Sequence, residues 1–111
     1  MPSSYSMVIT TCGGKEEAER IALLLVGQRL AGCIQMFAME SVYRWEGAVD
    51  RAREWMLICK IKASDYEEVE AAIRSAHSYS TPEIIEIGIE RGAESYLAWL
   101  ESATSRLDQK T

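Results

Sequence analysis

The sequence is poor in histidine and cysteine, and it is short of positive charge. His77 is the single imidazole, so no Ser–His–Asp set exists unless His77 is the base, and nothing near it in sequence supports that role. There is no Walker lysine loop and no Gly-x-Gly-x-x-Gly fingerprint, which leaves phosphate-cradling chemistry without its usual loop. Paired carboxylates do occur, but Glu16-Glu17 and Glu67-Glu68 read as solvated helix faces. An enzyme is therefore not expected. No apolar run approaches the ~20 residues of a membrane span. The start, Met1-Pro2-Ser3-Ser4-Tyr5-Ser6, has neither a positive n-region nor a long apolar h-region, so no signal peptide is expected. Lysine and arginine number 12 against 17 acidic residues, a formal net charge of −5. That balance argues against a general nucleic-acid binder, which needs a basic patch to displace counterions, and against a polybasic membrane anchor. Cys12, Cys33 and Cys59 are odd in number and widely spaced, a poor disulfide framework. Together with the lack of an export signal they point to the reducing cytoplasm.

What is present suits one ordinary globular domain. The chain has 111 residues, 48% hydrophobic and 26% charged. Such a chain buries roughly 60–68% of its unfolded surface, enough for one core. The domain is expected over residues 1–104, with Ser105–Thr111 a polar tail.

Periodicity and punctuation set the elements. Tyr5–Thr11 is β-branched and apolar and reads as a strand, broken by Gly13-Gly14. From Lys15 the spacing of Ala18, Ile21, Ala22, Leu25 and Val26 is helical, with Gly32 as the stop. Cys33–Trp45 and Trp55–Lys62 are strands around a Glu46-Gly47 turn, forming a long hairpin. Ser64-Asp65-Tyr66-Glu67 is a capping-box sequence opening a helix with Tyr66, Val69, Ile73 and Ala76 on one stripe. Glu83–Glu90 is a strand, and Gly92 starts a last helix with Tyr96, Leu97 and Leu100 inward. The order βαββαβ plus a C-terminal helix is the ferredoxin-like arrangement: an α+β fold with one antiparallel sheet and both helices on one face. Its other sheet face is left bare. An open apolar face and long strand edges predict an oligomer.

Five segments then carry a family resemblance. They are Val8-Ile9-Thr10-Thr11-Cys12, Leu30-Ala31-Gly32-Cys33, Ser41-Val42-Tyr43-Arg44-Trp45-Glu46-Gly47, His77-Ser78-Tyr79-Ser80-Thr81-Pro82-Glu83-Ile84-Ile85, and Gly92 with Tyr96-Leu97-Ala98-Trp99. Their order and content resemble the CutA divalent-cation tolerance family over roughly residues 5 to 103. The resemblance implies a cytoplasmic homotrimer whose sheets face inward and whose hairpin pairs with a neighbour, linked to divalent-cation (copper) tolerance. Three departures stand out. Gly13-Gly14 replaces a usual proline, His-Pro-Tyr reads His77-Ser78-Tyr79, and Phe37-Ala38-Met39-Glu40 is one residue short and lacks a proline bend.

The resemblance also implies copper or another divalent metal held by a first-strand cysteine and histidines near the second helix. Those positions are Thr10, Ala76 and His77 here, and only His77 matches. Cys12 lies two residues on from Thr10 and points the same way on a strand, so it can stand in, with Glu83 as a third ligand. Against this, the three residues have no metal-ligand spacing, and His77 reads better as a second-helix cap or interface residue that hydrogen-bonds locally. Cys12 beside a helix N-terminus has a setting that lowers a thiol pKa, but no base can be assigned to it. Met7, Met36, Met39 and Met56 offer thioethers but read better as packing. Tyr43, Trp45, Tyr79 and Tyr96, with Lys60, are candidates for a cleft between subunits that could take a small anionic ligand, the aromatics reading equally as interface anchors; Lys60 paired with Glu83 across the trimer forms a polar site there or a structural ion pair. The alternative function is a PII-like trimeric small-molecule sensor, an analogy of architecture alone.

Overall fold

The centre of the sheet is β1 (Tyr5–Cys12), paired antiparallel on one side with β3 (Ala48–Lys62) and on the other with β4 (Ile84–Ile89). The strand β2 (Cys33–Trp45) adds to β3, giving a four-stranded antiparallel sheet in the order β2-β3-β1-β4. The computed structural model describes residues 3–106; Met1, Pro2 and residues 107–111 of the polar tail lie outside that span. Among the described residues three α-helices accompany the sheet in an α+β arrangement: α1 (Lys15–Gly27), α2 (Tyr66–Ala76) and α3 (Glu94–Ala103).

The pleat divides the side chains into two sets. Val8 and Cys12 of β1 point with Leu57, Cys59 and Ile61 of β3 toward Ala18, Ile21 and Leu25 of α1 and Val69 and Ile73 of α2. This buried set is the core, and it places both helices on one face. The opposite parity carries Ile9, Phe37, Met56, Ile58, Ile85 and Ile87 on the other face. There Phe37 is 45%, Ile85 48% and Ile87 42% exposed. A bare row of this kind is the apolar face expected from the pattern. Only its Tyr5–Lys62 end is covered, by α3: the Tyr5 hydroxyl donates to Glu101, and Lys62 pairs with Glu101 at 3.2 Å.

The hairpin is longer than its apolar alternation suggests. β3 begins at Ala48, not Trp55; its first seven residues are polar or small apart from Val49 and carry no apolar alternation. Glu46 (φ 50°) and Gly47 (φ 81°) form the two-residue turn, the left-handed pair that matches strand twist. β2 runs without a bulge through Phe37–Glu40, residue for residue against β3, so the absent proline leaves a continuous strand.

Other boundaries also moved. α1 ends at Gly27 rather than Gly32, since Arg29 takes a left-handed φ of 60° and Leu30 donates back to Leu25. Gly32 instead allows close approach of α3: a Cβ there would lie 2.6 Å from Leu100 Cδ1. The Ser64 capping box does not form. Ala63–Asp65 makes a single 3₁₀ turn, Asp65 is the N-cap of α2, and its side chain serves Arg106 instead. β4 is one residue shorter at each end than Glu83–Glu90, and α3 starts at Glu94 rather than Gly92. Of its inward residues Leu100 is buried, whereas Tyr96 is 39% exposed. Within the polar stretch after Thr104, Arg106 is tied down by a bidentate pair with Asp65 and a bond to the Arg29 carbonyl.

Candidate functional site

The sheet delivers Cys12 and His77 to one place. Cys12 ends β1 on the helix-facing side, as does Thr10, and His77 is the C-cap residue of α2. The thiol lies 3.9 Å from His77 Nε2. Both ring nitrogens are already engaged. Nε2–H donates to the Thr11 carbonyl at 2.7 Å, and Nδ1 accepts the Tyr79 amide at 3.1 Å. That pair of bonds selects the neutral tautomer protonated on Nε2. The His77 side chain has no exposed surface. Burial, with the Glu17 and Glu54 carboxylates nearby, pushes the Cys12 thiol up to about 11. The expected lowering by the helix N-terminus is thus overridden by desolvation and negative neighbours.

Glu17 holds this knot from the outside. Its carboxylate accepts the Ser78 amide at 2.6 Å and the Ser78 hydroxyl at 3.1 Å. A proline at this position, as in His-Pro-Tyr, supplies neither donor. Burial raises the Glu17 carboxyl, but the two Ser78 bonds, with the Arg20 guanidinium nearby, outweigh it and hold the group below the usual carboxylate range. Arg20 in turn donates to the Ala76 carbonyl at the end of α2. Glu17 therefore departs from its reading as a solvated helix residue.

Glu83 is not part of this group. It is exposed and lines a groove of ≈ 640 Å³ with Tyr43, Trp45, Tyr79 and Glu54 on the bare side of the hairpin. Among the described residues no three His, Cys, Asp or Glu side chains gather as a cation would need. Cys12 is thus beside His77, but the Cys12–His77–Glu83 set is not assembled within the chain, because Glu83 follows Pro82 onto the other side of the sheet. As they stand, the imidazole has no free lone pair and the thiol is held protonated, so these residues do not fit a metal.

The cleft candidates also divide. Tyr43, Trp45 and Tyr79 share the groove. Tyr79 donates its hydroxyl to Glu54 at 2.9 Å; burial and that bond push its pKa up to about 12. Gly13 makes room for this ring, since a Cβ there would lie 3.2 Å from the Tyr79 hydroxyl. Lys60 and Tyr96 sit elsewhere. Lys60 donates to Gln35 at 2.8 Å and lies 5.9 Å from the Tyr96 ring centre. It is four residues along β3 from Met56, a groove residue, or about 13 Å. Lys60 and Glu83 therefore do not meet within one chain.

The decisive comparison is with the family model described as CutA1 divalent ion tolerance protein, which matches residues 6–103. The chain belongs to the CutA1 family. It is 37% identical over 97 residues to the divalent-cation tolerance protein CutA of Archaeoglobus fulgidus, covering 87% of this chain and 95% of that one. The Thermus thermophilus CutA is 33% identical, with 88% and 96% covered. The chain spans 54% of the chloroplastic CutA of Arabidopsis thaliana and 59% of the human CutA. Among solved structures, the periplasmic divalent cation tolerance protein CutA of A. fulgidus superposes with a TM-score of 0.89 at 36% identity, covering 91% of this chain and 99% of that one. CutA1 of Shewanella sp. SIB1 gives 0.91 at 31% identity, covering 96% and 100%. Among the described residues no helix is long and apolar enough to cross a membrane.

Two members of the site went unread in the sequence. Glu54 could have been found by continuing the alternation of β3 one step before Trp55. Glu17 had no local signal, because its partner Ser78 is 61 residues away.

Proposed function

We propose that this CutA1-family chain works as a homotrimeric divalent-cation tolerance protein of the cytoplasm, without a catalytic reaction of its own. The observation that carries the assembly is the bare apolar face of Phe37, Ile85 and Ile87 on a chain that belongs to this family. A face of this kind closed against two further copies would resemble the apolar interfaces of obligate oligomers. The projecting hairpin, Tyr43–Trp45 against Ala48–Asp50, would supply strand edges to a neighbour. Unpaired, buried Cys12 and Cys59 suit a reducing compartment.

Tolerance in this reading does not run through a preformed Cys12–His77 copper centre, because both imidazole nitrogens are engaged by backbone groups and the Cys12 thiol is buried beside carboxylates. The test is growth of a strain lacking the protein, challenged with copper and other divalent salts and complemented with variants. Wild type, Cys12→Ala and His77→Gln, each at matched soluble level, are expected to restore growth, and the face-breaking Ile87→Asp is not. Restoration by Ile87→Asp would overturn the assembly-based reading. The PII-like reading is not favoured, since the groove carries carboxylates where an anionic effector would need cations.

A further inference from the structure

The strand residues that put charge on the bare face all belong to β3. The residues of β1, β2 and β4 that share this parity carry no charge, whereas β3 presents Lys62, Lys60, Glu54 and Asp50 there. The two bases stand at the end where α3 lies, and the two acids stand at the hairpin end. Lys60 and Glu54 are six residues, or about 20 Å, apart along the strand.

Only one of these charges is answered by an opposite charge within the chain. Lys62 pairs with Glu101 at 3.2 Å. Lys60 donates to the neutral Gln35 side chain and forms no ion pair among the described residues. At the hairpin end Glu54 accepts only the neutral Tyr79 hydroxyl, and Glu83 likewise has no ion-pair partner among the described residues. The groove that Glu54 and Glu83 line contains no lysine, arginine or histidine, and Tyr43 and Trp45 form part of its wall.

In a single copy water solvates these groups. Closing the face against further copies removes that water, and a charge then left without a counter-charge is strongly destabilising. A threefold ring supplies the missing partners if each copy gives its base to one neighbour and receives a base from the other. An apolar face alone permits sliding, whereas paired charges select one register.

We propose that the groove is a lysine socket between copies: Lys60 of one copy enters the groove of the next, its ammonium at the Glu54 and Glu83 carboxylates and against the Tyr43 and Trp45 rings. The site is incomplete in any one chain. The inference rests on the trimer reading and adds the residues that set its register.

The test is charge reversal, read as the chain concentration at which the assembly half-dissociates in analytical ultracentrifugation. Lys60→Glu and Glu83→Lys should each raise that concentration at least about tenfold, and the double reversal should dissociate at a lower concentration than either single. A neutral cycle of Lys60→Gln, Glu83→Gln and both covers a reversal that fails to fold. In it the urea midpoint at fixed concentration should fall less in the double variant than the two single losses combined. Reversals that dissociate like wild type, or single losses that merely add in the double variants, would overturn the socket while leaving the wild-type trimer in place. A wild-type monomer would overturn the trimer reading and the socket with it, so the two failures are told apart.

Discussion

The imidazole of His77 donates from Nε2 to the Thr11 carbonyl at 2.7 Å, tying the end of α2 to the end of β1. Through Nδ1 the same ring fixes the Tyr79 amide. His77 is therefore a joint between the helix layer and the loop that carries Tyr79 and Glu83 into the groove. Replacing it with alanine leaves the part-buried Thr11 carbonyl and the Tyr79 amide without these partners. His77→Ala is expected to lose ~2–3 kcal/mol of stability, read as a lower urea midpoint at fixed protein concentration.

The same geometry predicts the outcome of copper titration. Wild type, Cys12→Ala and His77→Ala should bind copper with the same weak affinity. A stoichiometric wild-type site lost in either variant would show that the knot opens to admit the metal.

Cys12 and Cys59 face the core, and burial is the main cause that raises their thiols to about 11 and about 12. Both should resist alkylation in the native protein at pH 8 and react only when denaturant opens the chain. Mass spectrometry of labelled peptides reads this directly. Fast native labelling of Cys12 would place it outside the core.

Glu17 gives acid sensitivity to the Ser78 loop. Its carboxyl is held below its unfolded value, so the stability it contributes is complete above the unfolded pKa of ~4.3 and is lost as pH falls through the depressed folded value. Glu17→Gln should flatten the dependence of stability on pH in that window while lowering stability at pH 7. An unchanged acid profile in the variant would remove Glu17 from this role.

Thr10 carries the buried hydroxyl without a hydrogen-bond partner among the described residues. Valine has nearly the same shape and no polar atom to desolvate. Thr10→Val is expected to stabilise the protein by ~1 kcal/mol, seen as a higher unfolding temperature at matched concentration. Destabilisation would mean that the hydroxyl has a partner in solution.

The parts of this structure written in local pattern were readable. Alternation in Trp55–Lys62 separates Leu57, Cys59 and Ile61 from Met56, Ile58 and Lys60, and the sheet keeps that division. Glu46-Gly47 marks its turn because few residues tolerate two successive left-handed positions. The capping box does not form because Ser64 falls inside the 3₁₀ turn Ala63–Asp65, which leaves Asp65 at the N-cap, and the Asp65 carboxylate pairs with Arg106, 41 residues on. The groove was half visible: its aromatics stood out, but Glu54 lay in a polar run that looked like loop. Glu17 joins the Cys12–His77 cluster only through Ser78, a contact no periodicity announces. Local chemistry is legible one residue at a time, whereas these sites are made by pairs distant along the chain.

The central claim is that two further copies cover the bare face of Phe37, Ile85 and Ile87. Native mass spectrometry tests it most directly. The account predicts a single species of three times the 12.5 kDa chain mass, dispersed by Ile87→Asp. A wild-type monomer at micromolar concentration would contradict it.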